Sequence, residues 1–240
     1  MNQNSETSAA ARRIIGRTLG WLLTWLAGAV LALWLKSSFA IVALAVGGVW
    51  ILFSAFTFYF FRDPEPRVPA APEAMVAPAH GLVDCVDETT EPEFLGGACR
   101  RISIFLSVLD VHVQNAPVAG KIAFVKHRPG QFLNALKTES AESNESVHIG
   151  IESLEQPDER MAVRQIAGVI ARRIVSWVSV GDTVARGQRL GLIQFGSRCD
   201  LYLPLTAQIR VQPGDRVVAG ETVVATRASV TRQSDKAAHL

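Results

Sequence analysis

The 240-residue chain is 49% hydrophobic with a mean hydropathy of +0.22, a length for one domain plus an appendage. Its net charge of +2, with no basic run interleaved with aromatics, excludes a nucleic-acid partner. Three widely spaced cysteines (Cys85, Cys99 and Cys199) exclude a disulfide framework and a zinc site, and read as idle thiols in a reducing compartment.

Residues 1–18 form a basic segment containing Arg12, Arg13 and Arg17. Two uncharged apolar runs follow, Leu19–Leu35 and Phe39–Phe61, separated only by Lys36-Ser37-Ser38. Residues 19–61 are therefore expected to form a two-helix membrane hairpin. The second run is long enough for a hydrocarbon core of about 30 Å, and the first is near the lower limit. Arginines on both flanks, including Arg62 and Arg67, place both ends in the cytoplasm by the positive-inside rule. The apolar region is too long for a signal peptide or a twin-arginine export signal. A re-entrant hairpin entering one leaflet stays open. Pro64, Pro66, Pro69 and Pro72 then make residues 62–74 an extended linker.

Residues 75–240 are expected to be mainly β. Short β-branched runs at 102–109, 118–125, 163–170 and Arg210-Val211 read as strands, and 132–145 as a loop or short helix. The pattern Gly-Asp-x-Val-x-x-Gly occurs twice, at Gly181–Gly187 and Gly214–Gly220. Gly-Asp supplies a turn with its own side-chain hydrogen bond, and the second glycine permits a positive φ. The pattern resembles the hammerhead turns of barrel-sandwich hybrid, or lipoyl-like, domains.

Between these copies lies Gly196-Ser197. A serine hydroxyl after a glycine can attack its own peptide bond, because the glycine leaves the carbonyl uncrowded. The resulting ester can eliminate to dehydroalanine, which hydrolyses to a pyruvoyl group. Gly-Ser alone is too common to carry this reading. His112, in Asp110-Val-His-Val-Gln-Asn-Ala-Pro117, follows an expected strand and can donate a proton near neutral pH. A satisfied core histidine is the alternative. Asp110 either orients His112 or closes a turn. His80 stands in Pro78-Ala-His-Gly81. His127 and His148 are isolated and His239 is terminal, so no metal is expected.

The stretches Val163–Arg173 and Gly187–Ser197, with Tyr59-Phe-Phe-Arg-Asp-Pro64, closely resemble the pyruvoyl-dependent phosphatidylserine decarboxylases of the short bacterial type. The resemblance runs from about Tyr59 to about Ala225 and is most specific in its last third. It implies self-cleavage between Gly196 and Ser197 into fragments 1–196 and 197–240. The covalent cofactor would be a pyruvoyl group derived from Ser197. It would form a Schiff base with the serine amine of the lipid, and carbon dioxide would leave to give phosphatidylethanolamine. The family's histidine-bearing segment places His112 at the substrate.

His80 is a departure, because the family usually carries an aspartate there. The resemblance gives that aspartate a part in self-cleavage; either His80 takes the proton from Ser197 in its place, without a carboxylate, or processing is lost and the chain is inert. Asp84 and Asp87 lie near it in sequence. Long-type relatives carry a second histidine where this chain has Asn115. Arg100, Arg101, Arg172 and Arg173 are candidates for the head-group phosphate. The implied partners are phosphatidylserine in the bilayer, the membrane and the chain's own two fragments, with a homo-oligomer left open. The implied location is the inner membrane, with the catalytic domain facing the cytoplasm. A membrane-anchored lipoyl-like adaptor is the non-enzyme alternative, but its helical heptads are missing. A lipoate or biotin carrier would need a lysine at the turn, where this chain has Ser197-Arg198.

Overall fold

Ile102, Ile104 and Leu106 alternate with Arg101, Ser103 and Phe105, and only the first set joins the apolar core. That period of two recurs through most of the chain and builds sheets. The computed structural model describes residues 3–34, 40–131, 143–168, 173–194 and 197–227. Gly196, Arg172, His239 and residues 132–142 of the loop or short helix expected at 132–145 lie outside these.

The chain divides into two units, residues 1–63 and 64–240. The first holds helices α1 (Gln3–Trp34) and α2 (Ala40–Phe60), which pack against each other. Helix α1 starts at Gln3, so it takes in most of the basic segment expected to precede the hairpin. Counted over the described residues, no helix is long and apolar enough to cross a membrane. The full sequence of α2 nonetheless runs for 21 residues without a charge.

The second unit is built of antiparallel strands. They are β1 (Ala74–Val76), β2 (Gly81–Glu91), β3 (Gly97–Leu106), β4 (Val113–Asn115), β5 (Gly120–Arg128), β6 (Ser146–Ser153) and β7 (Arg160–Ala167). Then come β8 (Ile174–Ser176), β9 (Thr183–Val184), β10 (Arg189–Ile193), β11 (Ser197–Leu203), β12 (Gln208–Ile209), β13 (Arg216–Val217) and β14 (Val223–Thr226). A curled eight-stranded sheet has the order β13-β2-β3-β11-β7-β6-β5-β9. Two three-stranded sheets have the orders β1-β14-β12 and β4-β10-β8. The apolar core draws on all three, with Ile104, Ile149 and Leu201 from the large sheet and Met75 and Leu190 from the small ones. Fully burying each such side chain contributes roughly 1.5–3 kcal/mol.

The expected strands shift at their ends. The strand expected to reach residue 109 stops at Leu106, because the Asp110 carboxylate accepts from the Ser107 N–H and hydroxyl and closes a turn. The one expected over 163–170 ends at Ala167, and the one at Arg210-Val211 is displaced to β12.

The sheet orders reveal a twofold repeat larger than the two glycine-rich turns. An approximate dyad passes between β11 and β7, where Leu201 pairs with Val163. It relates β13, β2, β3 and β11 to β9, β5, β6 and β7. The registers agree, since Leu82 pairs with Phe105 and Arg216 as Lys121 pairs with Glu152 and Thr183. Both β2 and β5 bulge at the same place, after Val83 and after Ile122. The turns match bond for bond. Asp182 accepts from the Ser179 N–H at 2.8 Å and Asp215 from the Gln212 N–H at 2.9 Å. Gly187 N–H donates to the Ala116 carbonyl, and Gly220 N–H to that of Ala77. Those glycines have φ of 76° and 73°. Ala77-Pro-Ala-His-Gly81 is thus the structural counterpart of Ala116-Pro-Val-Ala-Gly120.

One half (β4–β10) is inserted in the chain between β3 and β11 of the other. Two short connections join the halves: residues 107–112 leading in and 194–196 leading out.

Candidate active site at the crossovers

Both crossovers span the same pair of sheets, so their residues meet. Ser197 opens β11 and pairs with Leu106, the last residue before the inward crossover. His112 ends that crossover, and its carbonyl accepts from the Ile193 N–H just before the outward one. The Asn115 N–H donates to the Pro78 carbonyl, which brings the Pro78–Gly81 turn alongside β4. Gly81 lies against Phe105, where a Cβ would fall 2.1 Å from the carbonyl oxygen, and only glycine suits its φ of 147°. Strand β2 therefore sits two strands from β11, about 10 Å away, with His80 at that end. The three sequence candidates inside the described residues gather at one end of the large sheet. Gly196 lies outside them.

Ser197 is buried, and its hydroxyl has no hydrogen-bond partner among the described residues. It shares the inner face of β11 with Cys199, Leu201 and Leu203, opposite the small Ala167. Burial raises the Cys199 thiol well above its ordinary range, so it stays protonated and is no nucleophile.

His112 is also buried. Its Nδ1 lies 2.8 Å from the Asp110 carbonyl, which can only accept, so Nδ1 carries a proton. Nε2 is then the ring nitrogen whose proton exchanges. Asp110 orients His112 through its backbone, while its carboxylate serves the turn and receives Arg216 at 3.2 Å. Burial opposes ionisation of Asp110, but the bonds from Ser107 and Arg216 outweigh it and hold the carboxyl below its usual range.

Two residues at the site carry no motif that sequence reasoning could find. Gln165 of β7 and Gln114 of β4 are fully buried and joined by a 2.8 Å hydrogen bond. Gln114 also donates to the His112 carbonyl at 2.7 Å.

The other polar candidates lie elsewhere. Arg198, Asp200 and Tyr202 point to the outer face of β11. There Asp84 is ion-paired with Arg198, and Asp200 accepts from Ser103 at 2.6 Å. Asp87 is paired with Arg101. Neither acid is placed to assist Ser197. Burial raises the Asp84 carboxyl, opposed by Arg198 and reinforced by Asp200. Arg100 bonds the Ala207 carbonyl. Arg173 is exposed beside the outward crossover, its carbonyl accepting from the Gln194 N–H. His127 is exposed and bonds Glu145. His148 is buried, and its ligand atoms with those of Glu91 and Glu93 lie within 4.8 Å of one another. The acids there are already engaged: Glu91 accepts three backbone N–H groups, and Glu93 accepts Lys126 and Arg128.

Residues 53–225 match the family model described as phosphatidylserine decarboxylase. Three relatives carry the name phosphatidylserine decarboxylase proenzyme. That of Symbiobacterium thermophilum is 44% identical over 89% of this chain and 95% of its own. That of Desulfotalea psychrophila is 45% identical over 73% and 81%, and that of Carboxydothermus hydrogenoformans 46% over the same shares. With its crossovers converging on a buried serine, the chain belongs to the phosphatidylserine decarboxylase family and is a decarboxylase.

Proposed function

We propose that this chain converts phosphatidylserine to phosphatidylethanolamine with a pyruvoyl group that it makes from Ser197 by cutting its own 196–197 bond. The observation that carries the reading is the buried Ser197 hydroxyl, which has no hydrogen-bond partner among the described residues. Buried hydroxyls are nearly always bonded, and one left bare at a crossover is a group held for chemistry. Attack of its Oγ on the residue-196 carbonyl moves the acyl group from nitrogen to oxygen. Loss of the residue-197 Cα proton then expels the carboxylate of fragment 1–196. Hydrolysis of the remaining enamine releases ammonia and leaves the ketone. Ala167, directly opposite, leaves room for a planar group at that position.

Once formed, the pyruvoyl group supplies a ketone to receive the lipid amine and a sink for the electrons that carbon dioxide leaves behind. His112, its Nδ1–H fixed on the Asp110 carbonyl, presents Nε2, which takes up a proton from solvent and passes it to the resulting carbanion, returning the ring to its neutral Nδ1–H form. His80 takes the proton from Ser197 during cleavage. Arg173, exposed beside Gln194, is the arginine best placed for the head-group phosphate.

The paired Gly-Asp turns support a barrel-sandwich hybrid reading of the domain. The helical unit is its membrane anchor: 21 uncharged residues in α2 extend about 31 Å, one hydrocarbon thickness. Arginines at both flanks put the catalytic domain on the cytoplasmic side of the inner membrane.

Intact-mass analysis tests the reading. The expected result is two fragments, 1–196 and 197–240, the second with a blocked N-terminus and phosphatidylserine decarboxylase activity. Ser197→Ala should leave one uncut chain without activity. His112→Ala should cut normally and lose activity at least 100-fold. A wild-type preparation consisting of a single 26.0 kDa species defeats the proposal and marks the chain as an inert relative.

A further inference from the structure

We infer that Gln165 and Gln114 are positioning residues for decarboxylation, forming an amide bridge that fixes His112 relative to Ser197. The inference rests on the function proposed above. The bridge joins the two sheets that meet at the site. Gln165 belongs to β7, directly beside β11, and pairs with Cys199 two residues from Ser197. Gln114 belongs to β4, two residues after His112. The chain runs from Gln165 Nε2 to Gln114 Oε1 at 2.8 Å, then from Gln114 Nε2 to the His112 carbonyl at 2.7 Å.

Its polarity is fixed by chemistry. A carbonyl only accepts, so Gln114 must turn its NH2 to His112 and its oxygen to Gln165. Gln165 must then answer with NH2, and its own oxygen is left over. That oxygen is buried and has no partner among the described residues. It lies on the inner face of the sheet, on the diagonal from Ser197, whose hydroxyl likewise has no partner among the described residues. Diagonal neighbours on paired strands are within reach of a long side chain. The structure makes room for the amide, because a Cβ on Gly191 would sit 2.7 Å from Gln165 Nε2.

The fold itself does not require the pair. Across the dyad, Ala116 corresponds to Ala77 and Arg160 to Arg198, so Gln114 corresponds to Met75 and Gln165 to Leu203. Both counterparts are fully buried in the apolar core. The same two positions are apolar in the half without His112 and amide in the half with it. A buried amide left partly unsatisfied costs stability, which an apolar pair avoids. The half that tolerates this cost is the one that holds the proton donor.

The test transplants the other half's solution as the double variant Gln114→Met/Gln165→Leu in the full chain. Self-cleavage should proceed to the wild-type extent by intact mass, and the unfolding midpoint should match or exceed the wild type. With phosphatidylserine in mixed micelles, kcat should fall at least tenfold with KM unchanged. Imidazole 15N shifts should show His112 as a single Nδ1–H tautomer in the wild type and as a mixture in the variant. A variant with wild-type kcat and an unmixed tautomer overturns the inference. Parallel losses of cleavage, stability and activity also overturn it, since they mark the bridge as structural only. An uncut wild-type chain would instead overturn the proposed function, and this inference with it.

Discussion

The two halves of the β unit share a backbone and differ in their chemistry. Both use an Ala-Pro-x-x-Gly entry, a bulged long strand and an Asp-closed turn, with bond lengths that agree within about 0.1 Å for the turn bonds quoted. The fold thus shows at each position which side chains it accepts, and a residue that departs from its counterpart needs another explanation. Gln114 and Gln165 stand out in this way, and so does His80, whose counterpart is Ala119. The corresponding turn forms with a methyl group there, so its place in the fold does not require the imidazole.

The largest effect should come from making the halves alike. His80→Ala copies Ala119 into the first half. It should slow self-cleavage by about 100-fold or more, a typical worth for a positioned base, and change stability by less than about 0.5 kcal/mol. Time courses of fragment formation, alongside thermal unfolding of an uncut Ser197→Ala background, read both quantities. Cleavage at the wild-type rate would remove His80 from the chemistry and return it to the status of a turn residue.

A smaller effect probes what the halves share. Asp182→Ala and Asp215→Ala each delete one carboxylate bond to the backbone N–H three residues earlier. Each should cost about 1 kcal/mol, a fall of roughly 2–4 °C in unfolding midpoint, and the double variant should show the sum. Cleavage should be untouched by either. A cost at one turn several times that at the other would show that the dyad is geometric without being energetic.

What the sequence disclosed follows from how local each signal is. The Gly-Asp turns were legible because the side chain bonds its own turn within three residues. Ser197 and His112 were singled out through their neighbours in sequence, and the structure places both beside the crossovers at one end of the large sheet. The wider repeat was not legible. Its shared letters are alanine, proline and glycine, and one copy is split in the chain by the insertion of the other. Nor were the glutamines, since a glutamine in a strand carries no spacing signal and Gln165 meets Gln114 only across 51 residues of chain. The strand ends failed for a related reason. The turn that stops β3 depends on Asp110, which reads equally well as a partner of His112.

The smallest effect lies on the outer faces, where the halves differ in charge. In the first, Asp87 sits across from Arg101 and pairs with it. In the second, the matching positions are Lys126 and His148, both basic. Glu93, from the β2–β3 turn, reaches over to serve Lys126, Arg128 and His148, and those bonds pull its carboxyl down to about 2. Burial lowers the His148 pKa, Arg164 works in the same direction, and Glu91 and Glu93 oppose both. Above about pH 6.5 the imidazole is neutral in the folded and unfolded chain alike and adds no pH dependence. As pH falls below that value, the unfolded chain takes up a proton that the folded chain resists, so stability declines until the folded imidazole also titrates. The Glu93 contribution has its own window: it is complete above about pH 4.5 and is lost as pH falls toward 2. Thermal unfolding between pH 7.5 and 5.5 should therefore show a falling midpoint that His148→Phe flattens, leaving cleavage at Ser197 unchanged. A midpoint that rises with acidification over that range would mean that the acids of the β2–β3 turn dominate His148, so the second half would be stabilised by protonation.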